Sequence, residues 1–242
     1  MQTQTERNTI PYAPRDTIYY PDTDGKPMAA SDLHRDILIW ILQALRHHFN
    51  NDVYVSGDIL MYDKQGYPQS SISPDVLVAF GIGQQQRRTY KVWEEGKSPE
   101  FVMELSSENT YQNDLTRKMA RYAGMGIQNY FLYDAEGRYL PAQLMGFTLV
   151  NGNYEAIAAD VDGKIYSDAL GLGFQLREDR LGIYDPETGE WLQTAAEAGA
   201  AAEVRAQNAE ARAQQETDAR RNAEAEVARL QEAVARLEEK RK

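Results

Sequence analysis

The chain has 242 residues, a formal charge of -11 and no cysteine. That length suits one ordinary domain with an appendage, and the cysteine count excludes disulfides and thiolate metal sites, so a cytoplasmic setting is expected. The longest fully apolar run, Ile37 to Leu42, is too short to span a bilayer, and the amino terminus lacks the apolar core of a secretory signal, so no membrane association is expected. Before residue 194 there are 17 basic and 27 acidic residues, and from there on 9 and 10. The front part therefore lacks the overall basic footprint of most nucleic-acid-binding domains.

In chain order, residues 1–30 read as a lead-in arm without regular structure. From Ser31, SDLHRDILIWILQALRHHF sets apolar residues at 33, 37, 41, 45 and 49, the period of a helix buried along a broad stripe, with Ser31 or Asp32 as N-cap. Strands are expected at 52–62, broken by Gly57, at 73–80 and at 100–107, each rich in β-branched or aromatic residues. A long polar connection joins the second to the third. NDLTRKMARYAGMG reads as a helix capped by Asn113, with Leu115, Met119 and Tyr122 on one stripe and Gly124 or Gly126 to end it. QNYFLYDAEGR gives a strand and a turn. Residues 140–185 read as short strands that add to the main sheet, with Asn151-Gly152 as a hairpin signal.

The globular domain is thus expected over 31–194, and residues 195–242, rich in Ala, Glu, Arg and Gln, favour one long helix. Val227, Leu230, Val234 and Leu237 fall at a, d, a, d of a heptad, while earlier core positions are mostly Ala, with Arg220 and Glu216. A weak coiled coil is expected, joining a second copy or a partner protein. A solvated single helix is the alternative reading.

Helix, three strands, helix and strand make an α/β domain whose third strand is central, and Glu104 sits in the middle of that strand's apolar run. Alternation could turn it outward with Val102 and Ser106. If it is buried, it needs a cationic partner, a proton or a metal. Asp75 opens the preceding strand, so an antiparallel pairing would set Asp75 beside Glu104 at one sheet end. Two carboxylates with water positions suit Mg2+ or Mn2+, and three histidines without cysteine argue against zinc.

SPDV, then EFVMELSSENT, then D-x-x-x-K-x-x-x-Y-x-x-x-G-x-x-x-Y-x-x-x-D resemble the Uma-two family, restriction-endonuclease-like proteins of the PD-(D/E)XK nuclease superfamily. The matching residues are Pro74, Asp75, Glu104, Ser107, Thr110, Asp114, Lys118, Tyr122, Gly126, Tyr130 and Asp134. With RRTYKVWEEGKSPEF and YDPETGEWL, the likeness runs from about residue 16 to 195 and is to the longer, cyanobacterial-type members with a helical tail. The resemblance implies a restriction-endonuclease-like α/β core and metal-dependent hydrolysis of DNA phosphodiesters. It also implies that Asp75, Glu104 and the carbonyl of Leu105 hold the ion. The superfamily's lysine two residues after the glutamate is replaced by Ser106, and Lys118, positioned by Asp114 on one helix face, is the expected substitute. An ordinary surface Asp-Lys pair is the competing reading. His34 aligns with a family histidine on the first helix, and Ser107 and Asp134 read as capping or turn groups. Arg87, Arg88, Lys91, Arg117 and Arg121 are the basic residues expected near the site, with Tyr90 and Trp93 available to stack on bases. The rival functions are a catalytically inactive nuclease fold acting as a scaffold through its helical tail and a nucleic-acid-binding module without hydrolysis.

Overall fold

The first apolar stripe forms helix α1 (Asp32–His48), capped by the Ser31 side chain, which accepts from the His34 N–H, and it buries Leu38, Ile41, Ala44 and Leu45. The computed structural model describes residues 18–23, 31–49, 51–178 and 180–239; the rest of the expected arm over 1–30 lies outside the described residues. Two compact units divide after Leu192. In the first, chain order continues with β1 (Val53–Ser56), β2 (Met61–Tyr62), β3 (Ser71–Ile72), β4 (Val76–Phe80), β5 (Tyr90–Lys91), the short α2 (Val92–Glu95) and β6 (Phe101–Leu105). An interrupted helix follows, made of α3 (Tyr111–Asn113), a π turn (Asp114–Lys118) and α4 (Met119–Gly124). Then come β7 (Asn129–Tyr133), β8 (Leu144–Val150), β9 (Asn153–Ala156), β10 (Ile165–Ser167), β11 (Leu172–Arg177), β12 (Arg180–Asp185) and β13 (Glu190–Trp191).

The main sheet has the order β1-β4-β6-β7-β8-β9, antiparallel except for β6 beside β7. The interrupted helix is the crossover that a parallel pair requires. β6 and β7 are buried on both faces, which explains their unbroken apolar runs. On one face Phe101, Met103 and Phe131 pack with α1 and with Ile165, Phe174 and Ile183. Phe131 lies 4.8 Å from Phe174 between ring centroids, and such ring pairs contribute about 0.5–1.5 kcal/mol each beyond their area. On the other face Val102 and Leu132 meet Tyr122, Tyr130 and Ile127. The domain is a layered, mixed α/β structure.

Four expectations need correction. The run 52–62 is two strands in different sheets, because the chain turns at Asp58, whose φ is +51°. The polar connection 81–99 holds β5 and α2. The helix expected to be capped by Asn113 starts earlier, at Tyr111, with Asn113 itself helical, and Ser107 and Thr110 tie down its start. Only β8 and β9, joined at Asn151 (φ +51°) and Gly152 (φ +80°), extend the main sheet. β10 to β13 form a separate sheet because Ile165, Leu172, Phe174 and Ile183 carry enough apolar surface to cover the face around Phe101.

The second unit is α5 (Ala195–Glu239), whose described side chains are almost all exposed, including Val204, Val227, Leu230 and Val234. The side chain of Leu237, the last seam position, lies outside the described residues. No described helix is long and apolar enough to cross a membrane.

Asp134 closes β7 and organises the loop behind it. Its Oδ1 accepts from the N–H groups of Glu136 and Gly137, and its Oδ2 from those of Arg138, Tyr139 and Leu140. Burial raises its pKa, but these donors together outweigh burial and hold it below the usual carboxylate value. A depressed folded-state pKa stabilises above the unfolded value and the gain is lost as pH falls through the folded one. Asp134→Ala is expected to cost about 2–4 kcal/mol at pH 7 by chemical denaturation, with the gap to wild type narrowing as pH falls below about 4.

Candidate active site

The register Val76↔Met103 between β4 and β6 sets Asp75 opposite Glu104. Asp75 is anchored by the Leu105 N–H, which donates to its Oδ2 at 2.6 Å. Glu104 is fully buried, 0% exposed, and faces the interrupted helix. Its Oε2 lies 2.7 Å from Lys118 Nζ, and its Oε1 accepts from the Tyr122 hydroxyl at 2.6 Å. Lys118 also reaches Asp114 Oδ1 at 3.0 Å. Asp114 is fully buried, its Oδ2 accepts from Ser106 Oγ at 3.0 Å, and its backbone carbonyl accepts from the Tyr130 hydroxyl. The helix can present Asp114 and Lys118 together because both ends of its π turn face the sheet. Such local widenings recur at functional sites.

Lys118 thus carries its ammonium to the acid that Ser106 leaves without a neighbouring lysine. Burial alone would lower its pKa, but the charges of Glu104, Asp114 and Asp75 outweigh burial and hold it well above the ordinary lysine value. Burial pushes the Glu104 carboxyl up, Lys118 pulls it back, and Asp75 and Asp114 push it up again. At 2.7 Å from a permanently charged lysine, the ion pair is the state this geometry describes. Burial, then the Glu104 charge, keep the Tyr122 phenol protonated as a donor.

His34 Nε2 sits 3.8 Å from Asp75 Oδ2 and is buried without a hydrogen-bond partner. A residue the sequence did not single out, Asp58, also belongs here. Its Oδ2 is buried and unpartnered, and burial, followed by the charge of Asp75, pushes its pKa up to about 6. The one sequence signal for it is the Gly57-Asp58 break in a strand-like run. Tyr122 and Tyr130 were legible as matching positions but not as donors, the one to Glu104 and the other to the Asp114 backbone carbonyl. A cavity of 140 Å³ adjoins the site, lined among others by His34, Leu105, Ser106, Ser107 and Tyr139.

Glu104 and Asp114 hold one ammonium, with the charges of Asp75 and then Asp58 beside them, an excess of negative charge that a divalent cation would offset. Oxygen donors with an imidazole nearby fit a hard ion such as Mg2+ or Mn2+, which is often held by one or two carboxylates and water. Among the described residues no three acidic or histidine side chains converge as a complete metal cluster.

The expected basic residues fare unevenly. Arg87 is buried and spent on Glu95, at 2.7 and 2.9 Å, and on the carbonyls of Ile82, Gly83 and Gln85, with its guanidinium 4.2 Å from the Tyr54 ring. Arg88 pairs with Asp22, Lys91 with Glu94, and Arg121 with Asp63 and the carbonyls of Ser70 and Ser71. Arg117 is exposed. Tyr90 is fully buried and Trp93 packs on Tyr20, so neither is presented for stacking.

Removing the cation from a buried pair leaves uncompensated charge. Lys118→Met is expected to destabilise the fold by about 3–5 kcal/mol near pH 8. The loss should be smaller at pH 5, where a carboxyl with a raised pKa takes up a proton and needs no cation. Adding Glu104→Gln to Lys118→Met should recover part of the loss in a denaturation double-mutant cycle.

Residues 13–179 match the model of the Uma2 family, described as "Putative restriction endonuclease". None of the curated proteins matches the chain. Among solved structures, that of a protein from Anabaena variabilis ATCC 29413, described as "a putative nuclease belonging to DUF820", aligns at 15% identity with a TM-score of 0.45. It covers 60% of this chain and 76% of that one. Since the family match spans more than half of the sequence, the chain belongs to the Uma2 family.

Proposed function

We propose that the protein is a Mg2+- or Mn2+-dependent nuclease that hydrolyses phosphodiester bonds of DNA, with Asp75, Glu104 and Lys118 at its reacting centre. The observation that carries this reading is the Lys118 ammonium, held between Glu104 and Asp114 next to Asp75. It provides a positive charge at the site although Ser106 stands where the superfamily has lysine. The family description supports the reaction class.

Asp75, Glu104 and the Leu105 carbonyl are the groups that would hold the ion. When bound, a divalent ion polarises the phosphate and lowers the pKa of a water molecule. Lys118, protonated at all working pH values, offsets the charge that gathers on the phosphoryl oxygens. Asp114 fixes the ammonium, Tyr122 fixes the Glu104 carboxylate, and the Leu105 N–H fixes that of Asp75. Arg117, exposed, is a basic residue offered to a DNA strand; with most of the other expected cations engaged by acids, grip on the backbone should be weak and require low salt.

Cleavage of supercoiled plasmid, single-stranded DNA and RNA with Mg2+ or Mn2+ at low salt tests the reading. Wild type should cut DNA, and Glu104→Gln and Lys118→Met, each shown to be folded, should lose at least about 10²- to 10³-fold in rate. A folded wild type that cuts nothing would sink it. A second reading, a non-cleaving scaffold of the same fold, is favoured by one observation: both Glu104 oxygens are already occupied, by Lys118 and Tyr122. Mn2+ binding without cleavage is its signature.

The tail is proposed as an association module, homotypic or with a partner protein. Exposed Val227, Leu230 and Val234 at seam spacing support it. Deleting residues 195–242 should lower the mass measured by light scattering while circular dichroism of the front domain is retained, and an unchanged mass would refute self-association.

A further inference from the structure

Asp75 opens β4, which lies between β6 and β1 in the main sheet. Glu104 flanks it from β6. On the other flank the register Ser56↔Leu77 brings the end of β1 to the same sheet end, and the next two residues are Gly57 and Asp58. The chain there runs flush against Asp75: a Cβ on Gly57 would lie 2.2 Å from the Asp75 carbonyl oxygen, so only glycine fits. The Asp58 N–H donates to the Pro74 carbonyl at 3.0 Å. The Gly-Asp turn is therefore built onto the Pro-Asp turn by backbone contact.

Asp58 adopts φ +51°, a conformation few side chains tolerate. Asparagine suits that backbone as well as aspartate does, so the turn alone does not call for a charge. The charge is also badly served, because Oδ2 is buried with no hydrogen-bond donor, a rare and costly state for a carboxylate. The charges that act on it are Asp75, His34 and Lys118, the members of the site itself. His34 Nε2, beside Asp75, is a second such atom in the same place, whereas the third, Asp114 Oδ1, faces the Lys118 ammonium at 3.0 Å. By contrast, both oxygens of Glu104 are engaged. Lone-pair capacity for a cation is thus concentrated on the β1 flank of Asp75, away from the ion pair.

We infer that Asp58 is a ligand of the divalent cation, acting with Asp75 from the flank opposite Glu104. The inference rests on the cation-dependent reading above and adds to it a residue that neither the motif nor the family description supplies. Asp58 joining Asp75 and Glu104 makes an all-oxygen set that water completes, the habit of Mg2+ and Mn2+.

The test is Mn2+ binding by the full chain, followed by calorimetry near pH 7.5 and by the rise in Tm that Mn2+ produces. Wild type is compared with Asp58→Asn, which keeps the turn and removes the charge, and with Asp58→Gly, which relaxes the positive φ and so protects folding. Both variants should lose at least about tenfold in Mn2+ affinity and most of the Mn2+-induced shift. Their Tm without metal should equal or exceed that of wild type. Wild-type affinity in both folded variants would overturn the role of Asp58 and leave the cation-dependent nuclease intact. A wild type that binds no Mn2+ would overturn both. A purely structural Asp58 would show the opposite pattern, a lower metal-free Tm with Mn2+ affinity unchanged.

Discussion

A carboxylate in the middle of the central strand has to be neutralised, and the arrangement around β6 follows from that requirement. Glu104 has no exposure to water, so its charge is tolerable only because Lys118 reaches it at 2.7 Å and Tyr122 donates to its other oxygen. Both partners come from the crossover helix, which must therefore lie at a fixed depth and rotation on the sheet. Asp114 and Tyr130 extend the same network, with Ser106 donating to the Asp114 carboxylate. An apolar pair at 104 and 118 would join the same layers without desolvating two charges. The arrangement is thus poorly explained by stability and well explained by a fixed electrostatic centre.

The legible parts of the fold were those in which one residue pattern determines one geometry. The stripe from Leu33 to Phe49 allows only a half-buried helix, and Asn151-Gly152 joins strands in only a few ways. The antiparallel approach of 73–80 to 100–107 then placed Asp75 by Glu104, since the register leaves the two acids no other place. The exposure of Glu104 was not legible, because alternation is the same whether the second face meets water or a helix. Nor was the second sheet, since β10 to β13 have the composition of edge strands and only their packing on Phe101 and Phe131 separates them from the main sheet.

Asp58 was hidden for a different reason. Gly57 marks the break, but Ile59 and Leu60 continue the strand-like composition of 52–56, and the pattern does not show where the Asp58 carboxylate is turned. The partners of the cations were not legible, because sequence shows a charge but not what it pairs with. Arg87, Arg88, Lys91 and Arg121 lie in polar stretches that read as accessible, yet each is engaged by an acid or by carbonyls of the same domain. In a chain this acidic, internal pairing is the expected fate of most arginines.

That distribution of charge constrains how the proposed reaction could be ordered. Four carboxylates against one ammonium present a DNA phosphate with a repulsive site, and Arg87, Arg88, Lys91 and Arg121 are already engaged within the domain. A divalent ion bound first would cancel most of that excess, relieve the repulsion and add a ligand position for the phosphate that the protein's own residues lack. Ion and DNA would then bind with positive coupling, each raising the affinity for the other by the same factor. A site so arranged holds substrate chiefly where the ion is in place, so the acidity that argues against tight duplex binding is what would link binding to chemistry.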